Sequence, residues 1–259
     1  MNLILIEPTE LKSDGTARLA GSQADHIRKV LKSSPGHEVR VGLIDGPAGT
    51  ATIIEVTDSF VELACRLESD TPPRPPVDLL LALPRPKVMR RLWAQLAALG
   101  VGRIILTNAE RVERDYFDTH IIQPETYRPL LIEGLQQARD TRVPEVSIHR
   151  RFKVLVEDDL EALCPQRDRL VAHPGKEIGT LFRSPFGTYG QEKSPDLSSR
   201  TLLAIGPEGG WNAFELGLLE ERGFRRISLG PRSLRTDTAC IAMLAMINAS
   251  RESRTAHKS

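Results

Sequence analysis

Residues 201–215 read TLLAIGPEGGWNAFE. A threonine and four apolar residues run into Gly206-Pro207, then a single acid, two glycines, Trp211 and Asn212, with Glu215 three positions after the asparagine. A short apolar run closed by Gly-Pro predicts a buried strand. Asn followed three residues later by Glu predicts the reciprocal cap of a helix, with Trp211 placed to staple onto Leu216. Strand, tight glycine turn and immediate helix form part of an open α/β sheet, where ligands sit beyond the carboxyl ends of the strands. The loop has neither G-x-x-x-x-G-K-[ST] nor G-x-G-x-x-G spacing, and Glu208 would repel a phosphate. A neutral or cationic ligand is expected.

The same alternation extends outward. VDLLLAL, a helix over KVMRRLWAQLAAL ended by Gly100, RIILTN, a helix after Pro124, EVSIH, a helix around VEDDLEAL, RLVAH, TLLAI, a helix from Asn212, RRISL and a last helix from about Thr236 predict a mostly parallel sheet. Before TPPRPP, residues 71–76, the chain instead shows short β-rich segments, NLILIE, EVRVGLID and TATIIEV, with one helix predicted over QADHIRKVLKS. Consecutive prolines favour extended chain, so the boundary is placed there. The expected division is a small barrel or sandwich at 1–72, an α/β domain at 77–250 and a disordered tail at 251–259. SPFGTYGQEKSPDLSSR, residues 184–200, reads as an exposed loop.

Composition narrows the partners. A chain of 259 residues with 40% hydrophobic content and a formal charge of +1 suits a soluble globular protein whose nucleic-acid surface must be a patch. Three cysteines without a C-x-x-C pair suggest no disulfide framework and no thiolate metal site, which fits a reducing cytoplasm. The amino terminus lacks the basic region of a secretory signal. The longest apolar run, Ala239 to Ile247, is less than half of the ~20 residues a membrane helix needs. No metal and no membrane partner are expected.

Two further strand ends add chemistry. GPRSLRTDTA, residues 230–239, again turns from a strand into a helix and carries Arg232 and Arg235, which can clamp a phosphate or a planar anion. LVAHPGKE supplies His173 beside Pro174 and Gly175. One loop suits a cation and its neighbour an anion.

IGPEGGW followed by SLGPRSLRTDTA resembles the bacterial 16S rRNA uracil-N3 methyltransferase family (RsmE), of the SPOUT class of knotted, S-adenosylmethionine-dependent methyltransferases. HIRKVLKSSPGHEV, PRPKVMRRLWAQLAALGV and EGLQQARDTRVPEV extend the likeness over nearly the whole chain. The sequence departs from the family pattern at Ser233 (usually Ile), Asp237 (Glu), Ala98 (often Glu) and Asp140 (near an expected Arg). The resemblance implies a PUA-like β-barrel for RNA, a carboxyl-terminal α/β domain with a trefoil knot, and a homodimer acting on 16S rRNA or the small ribosomal subunit.

The resemblance also assigns roles. S-adenosylmethionine would lie against Ala204, Ile205, Gly206, Pro207, Glu208, Gly209, Gly210, His173, Leu229, Gly230, Ser233 and Leu234. Arg232 and Arg235 would stabilise a uridylate, with Asp237 a weaker candidate base. His26, Arg28, Lys29 and Lys32, and beyond the linker Arg85, Lys87, Arg90 and Arg91, could hold RNA phosphates. A different RNA acceptor, base or ribose, and a non-catalytic ribosome-assembly binder are the competing readings.

Overall fold

The computed structural model of the protein describes residues 3–25, 27–28, 34–165, 168–175 and 200–255. The chain forms two compact units, one of Met1–Arg74 with Pro129–Val143, the other of Pro75–Arg128 with Pro144–Ser259.

The first unit is built on one mixed sheet of β1 (Ile4–Ile6), β2 (Thr16–Ala20), β3 (Glu38–Leu43), β4 (Ala48–Val56) and β5 (Phe60–Leu67), in the order β1-β3-β4-β5-β2. Only β1 and β3 run parallel. Ala17 and Leu19, Val39 and Val41, Ala51 and Ile53, and Val61 and Leu63 are buried at alternate positions and form one core, the period of a sheet with one solvated face. Helix α1 covers Gly21–Asp25. The longer helix expected over residues 23–33 falls largely outside the described residues. Strands β2 and β5 carry arginines and glutamates among their apolar residues, and the sequence reading did not place them.

The second unit holds six parallel strands: β6 (Val77–Ala82), β7 (Val101–Thr107), β8 (Glu145–His149), β9 (Asp168–Ala172), β10 (Thr201–Ile205) and β11 (Phe224–Ile227), ordered β11-β9-β10-β6-β7-β8. Every residue of β6 and β10 is buried, as expected of central parallel strands covered on both faces. Helix α2 (Pro86–Ala98) starts with proline at its first position and turns its buried face, Met89, Leu92, Trp93 and Leu96, inward. Helix α3 (Pro124–Ala138) leads from this unit into the first.

Two predicted spans need correction. The helix expected at 156–163 begins earlier, as α4 (Phe152–Val154), a wide turn over Leu155–Asp159, and α5 (Leu160–Leu163), because Phe152 is itself a buried anchor. After α6 (Ala213–Glu221), helix α7 runs over Thr236–Thr255, so residues 251–255 are helical where a disordered tail was expected. A helix already nucleated gains one hydrogen bond per added residue, and polar residues extend it readily. Residues 256–259, and 184–199 of the expected loop, lie outside the described residues.

Candidate active site

The site grows from the end of β10. Gly206 follows the strand, and a Cβ there would stand 3.0 Å from the main-chain nitrogen of Trp211 and 3.2 Å from its indole, so a side chain would require Trp211 to give way. The loop closes with Gly210 N donating to Pro207 O at 2.8 Å, Gly210 at φ +71. Asn212 and Glu215 then form the predicted capping box, each side chain accepting the other's main-chain N–H at 2.8 Å. The second oxygen of Glu215, a side chain only 3% exposed, accepts from Glu110 N at 2.7 Å and so ties in the loop after β7. From that loop Arg111 donates to the carbonyl of Gly209. Trp211 stacks at 5.3 Å against Phe152.

Two neighbouring strand ends close onto this loop. His173 N donates to Ile227 O at 3.0 Å, joining the exits of β9 and β11. Thr236, at the start of α7, is buried and its hydroxyl reaches Gly206 O at 3.5 Å. The result is one cleft lined by Arg111, Ala172, His173, Pro174, residues 205–211, Leu229, Gly230, Arg232, Ser233, Leu234, Thr236, Ala239 and Met243. Burial, reinforced by the charge of Arg226, holds the His173 imidazole below its usual pKa, so it stays neutral near pH 7. Among the described residues, its Nδ1 and the indole Nε1 of Trp211 are buried without a hydrogen-bond partner.

Most of the predicted cofactor residues converge here: His173, Ile205 to Gly210, Leu229, Gly230, Ser233 and Leu234 all line the cleft, joined by Arg232. Ala204 does not; it is buried one position back in β10. Glu208 is exposed, and its Oε1 accepts from Arg85 N at 3.4 Å, so the acid braces the loop against the start of α2. Arg235 is exposed immediately before α7 and does not line the cleft. No ion pair is found for Arg232 or Arg235 among the described residues, whereas Asp237 is held by Arg91 at 3.0 Å.

The phosphate-binding candidates divide. Arg85, Lys87 and Arg90 are exposed around the start of α2, while Arg91 is engaged with Asp237. Arg28, in the other unit, is taken up by Asp25 and by Thr57 O at 3.0 Å. His26, Lys29 and Lys32 lie outside the described residues. Asp140 accepts from Thr141 N at 2.6 Å and Arg142 N at 3.0 Å, so the charge reversal there serves a local turn. Sequence reasoning missed Arg111, Thr236 and the second use of Glu215. Arg111 lies in ERVERD, residues 110–115, where nothing local points to the glycine loop.

A family model described as an RNA methyltransferase domain matches residues 71–248. A relative from Treponema pallidum, ribosomal RNA small subunit methyltransferase E, is 32% identical over 251 residues, covering 95% of this chain and 90% of its own. The chain belongs to the ribosomal RNA small subunit methyltransferase E family. Within that family a second relative, from a Synechocystis strain, is 27% identical over 96% of this chain and 78% of its own. The fold agrees: the structure of the Neisseria gonorrhoeae family member, bound to S-adenosyl methionine, superposes with a TM-score of 0.72 at 21% identity, over 96% and 97% of the two chains. A probable rRNA methyltransferase from Porphyromonas gingivalis gives 0.73 at 22% identity, over 98% and 100%. Among the described residues no helix is long and apolar enough to cross a membrane, and no cluster of potential metal ligands occurs.

Proposed function

We propose that this protein methylates N3 of a uridine in 16S ribosomal RNA, using S-adenosylmethionine bound at the cleft of the second unit. The observation that carries this is the meeting of three strand-end loops, after β9, β10 and β11, at one cleft of glycine main chain with arginine at its edge. The residues fit the cofactor. Gly206 to Gly210 and Leu229 to Leu234 offer main-chain donors and acceptors at close approach, and His173 and Trp211 each bring a buried nitrogen with no partner among the described residues. Ala204 would contribute only through its main chain. S-adenosylmethionine supplies an activated methyl group on a sulfonium, which requires no metal.

The chain's own residues would handle the acceptor. N3 of uracil must lose its proton, leaving negative charge on the ring. Arg232 at the cleft and Arg235 beyond it, for which no ion pair is found among the described residues, would stabilise that charge, and Asp237, paired with Arg91, is the candidate proton acceptor. Arg85, Lys87 and Arg90 would hold phosphates of the RNA around the splayed nucleotide.

The finer architecture belongs to the same proposal. The return of β11 beside β9 and the seating of Thr236 on Gly206 support a trefoil knot, and the curled mixed sheet of the first unit supports a PUA-like RNA-binding barrel. Helix α7 exposes Thr238, Ile241, Ala245 and Ala249 at helical spacing, a face suited to a second copy of the chain. A cytoplasmic location follows from a ribosomal RNA substrate.

The test is incubation of 16S rRNA and of small subunits lacking the mark with protein and S-adenosylmethionine, followed by nucleoside mass spectrometry. N3-methyluridine is the expected product. A ribose methyl or another methylated base would replace the acceptor, and no product on either substrate would favour a non-catalytic binder. Sedimentation should show a dimer, and a monomer would remove that part of the proposal.

A further inference from the structure

Ser228 is the first residue after β11 and is only 8% exposed. Its hydroxyl oxygen accepts main-chain N–H groups from both Gly230 and Gly175 at 3.0 Å. The same oxygen lies 3.0 Å from the carbonyl of Gly230 and 3.2 Å from that of Gly175, and its one hydrogen serves one of these at a time. Gly175 N also reaches Gly230 O, at 3.4 Å. A single side-chain atom therefore fastens the loop after β9 to the loop after β11, across 53 positions of sequence.

The fastening matters most at Gly230. Gly230 sits at φ +109, a region in which glycine is free and most residues are not, so its main chain has little intrinsic preference to keep it there. Gly230 lines the cleft, and Gly175 follows His173 and Pro174, which line it too. Ser228 itself does not. We infer that Ser228 is a positioning residue that fixes the spacing of the two loops and thereby sets affinity for the ligand of the cleft. The inference rests on the cofactor reading above.

Three variants and three measurements test it. Removing one partner of a buried hydrogen-bond group costs enough that Ser228→Ala should bind S-adenosylmethionine about tenfold more weakly in calorimetry. KM for the cofactor should rise while kcat at saturation is largely retained. Hydrogen exchange followed by NMR should quicken at Gly175 and Gly230 in this variant and leave the amides of β6 and β10 protected. Ser228→Thr, which keeps the hydroxyl, should restore affinity and protection; if its methyl crowds the site, Ser228→Cys, a weaker donor of similar size, should fall between wild type and alanine. Unchanged affinity with unchanged exchange in Ser228→Ala would overturn the inference alone. So would loss of protection throughout the sheet, which marks a general folding role. Failure of the wild-type protein to bind the cofactor would overturn the cofactor reading and this inference with it.

Discussion

Arg232 and Arg235 leave the same short loop, yet only Arg232 lines the cleft, and Arg235 is exposed at the threshold of α7. Their residue types were legible, since two arginines on a glycine-started turn suggest an anion. The partners of their neighbours were not, because the ion pair of Asp237 with Arg91 spans 146 positions. If both arginines meet charge that develops on the uracil, Arg235→Ala and Arg232→Ala should each lower kcat by about 10²–10³-fold, the loss seen when a preorganised donor to a developing anion is removed. Circular dichroism and cofactor affinity should stay close to wild type for Arg235→Ala; a fully active variant would dismiss that role. His173 adds a pH effect. Its pKa is lowered by burial, so the unfolded chain binds the proton more readily. The associated stability is complete above the usual histidine value of about 6.5 and is lost as pH falls from there toward the folded value. His149, lowered for the same main reason, contributes with the same sign. Thermal midpoints measured from pH 7.5 to 5.5 should fall, and His173→Gln should flatten but not abolish the slope. A slope unchanged by that substitution would refute the assignment.

The elements that could be read were those whose signal is local. Asn212 and Glu215 announce the start of α6 by spacing alone, and the geometry bears this out on both sides of the box. EVSIH became β8 with the same bounds. Trp211 packs against Phe152 of α4, a partner that no local pattern could supply. Strands β2 and β5 escaped notice because charges on their solvated face interrupt the apolar run, and the two only make sense once paired with each other. The cap also yields an energetic test. Asn212→Ala removes one cap acceptor and should cost about 1 kcal/mol of unfolding free energy. Glu215→Ala also strips the acceptor from Glu110 N, a contact outside the helix, and should cost about 2 kcal/mol. Urea unfolding of both variants would show this, and equal losses would mean that the tie to the β7 loop adds nothing.

At the scale of the whole molecule, TPPRPP marked where the composition changes, but nothing in the sequence revealed that residues 129–143 group with the amino-terminal strands. Helix α3 reads as one continuous helix, and only tertiary partners decide which unit its far half joins. Those partners are specific: Leu3 N donates to Gln136 O at 3.1 Å, Asp45 N to Thr141 O at 2.8 Å, and the buried Thr141 hydroxyl to Gly46 O at 2.6 Å. Arg74 closes the set, donating to Val143 O at 2.8 Å. A fragment beginning at Pro75 loses every one of these donors and acceptors while keeping the segment they hold. Its parallel sheet, with β6 and β10 buried among their own neighbours, should survive, whereas residues 129–143 should lose protection from hydrogen exchange. Exposed main-chain groups and apolar side chains there should also promote self-association at concentrations where the full chain stays soluble. Protection of 129–143 in the fragment equal to that in the full chain would sink the prediction. Loss confined to that segment would mean that an apparent linear domain boundary conceals a structural dependence on residues far downstream.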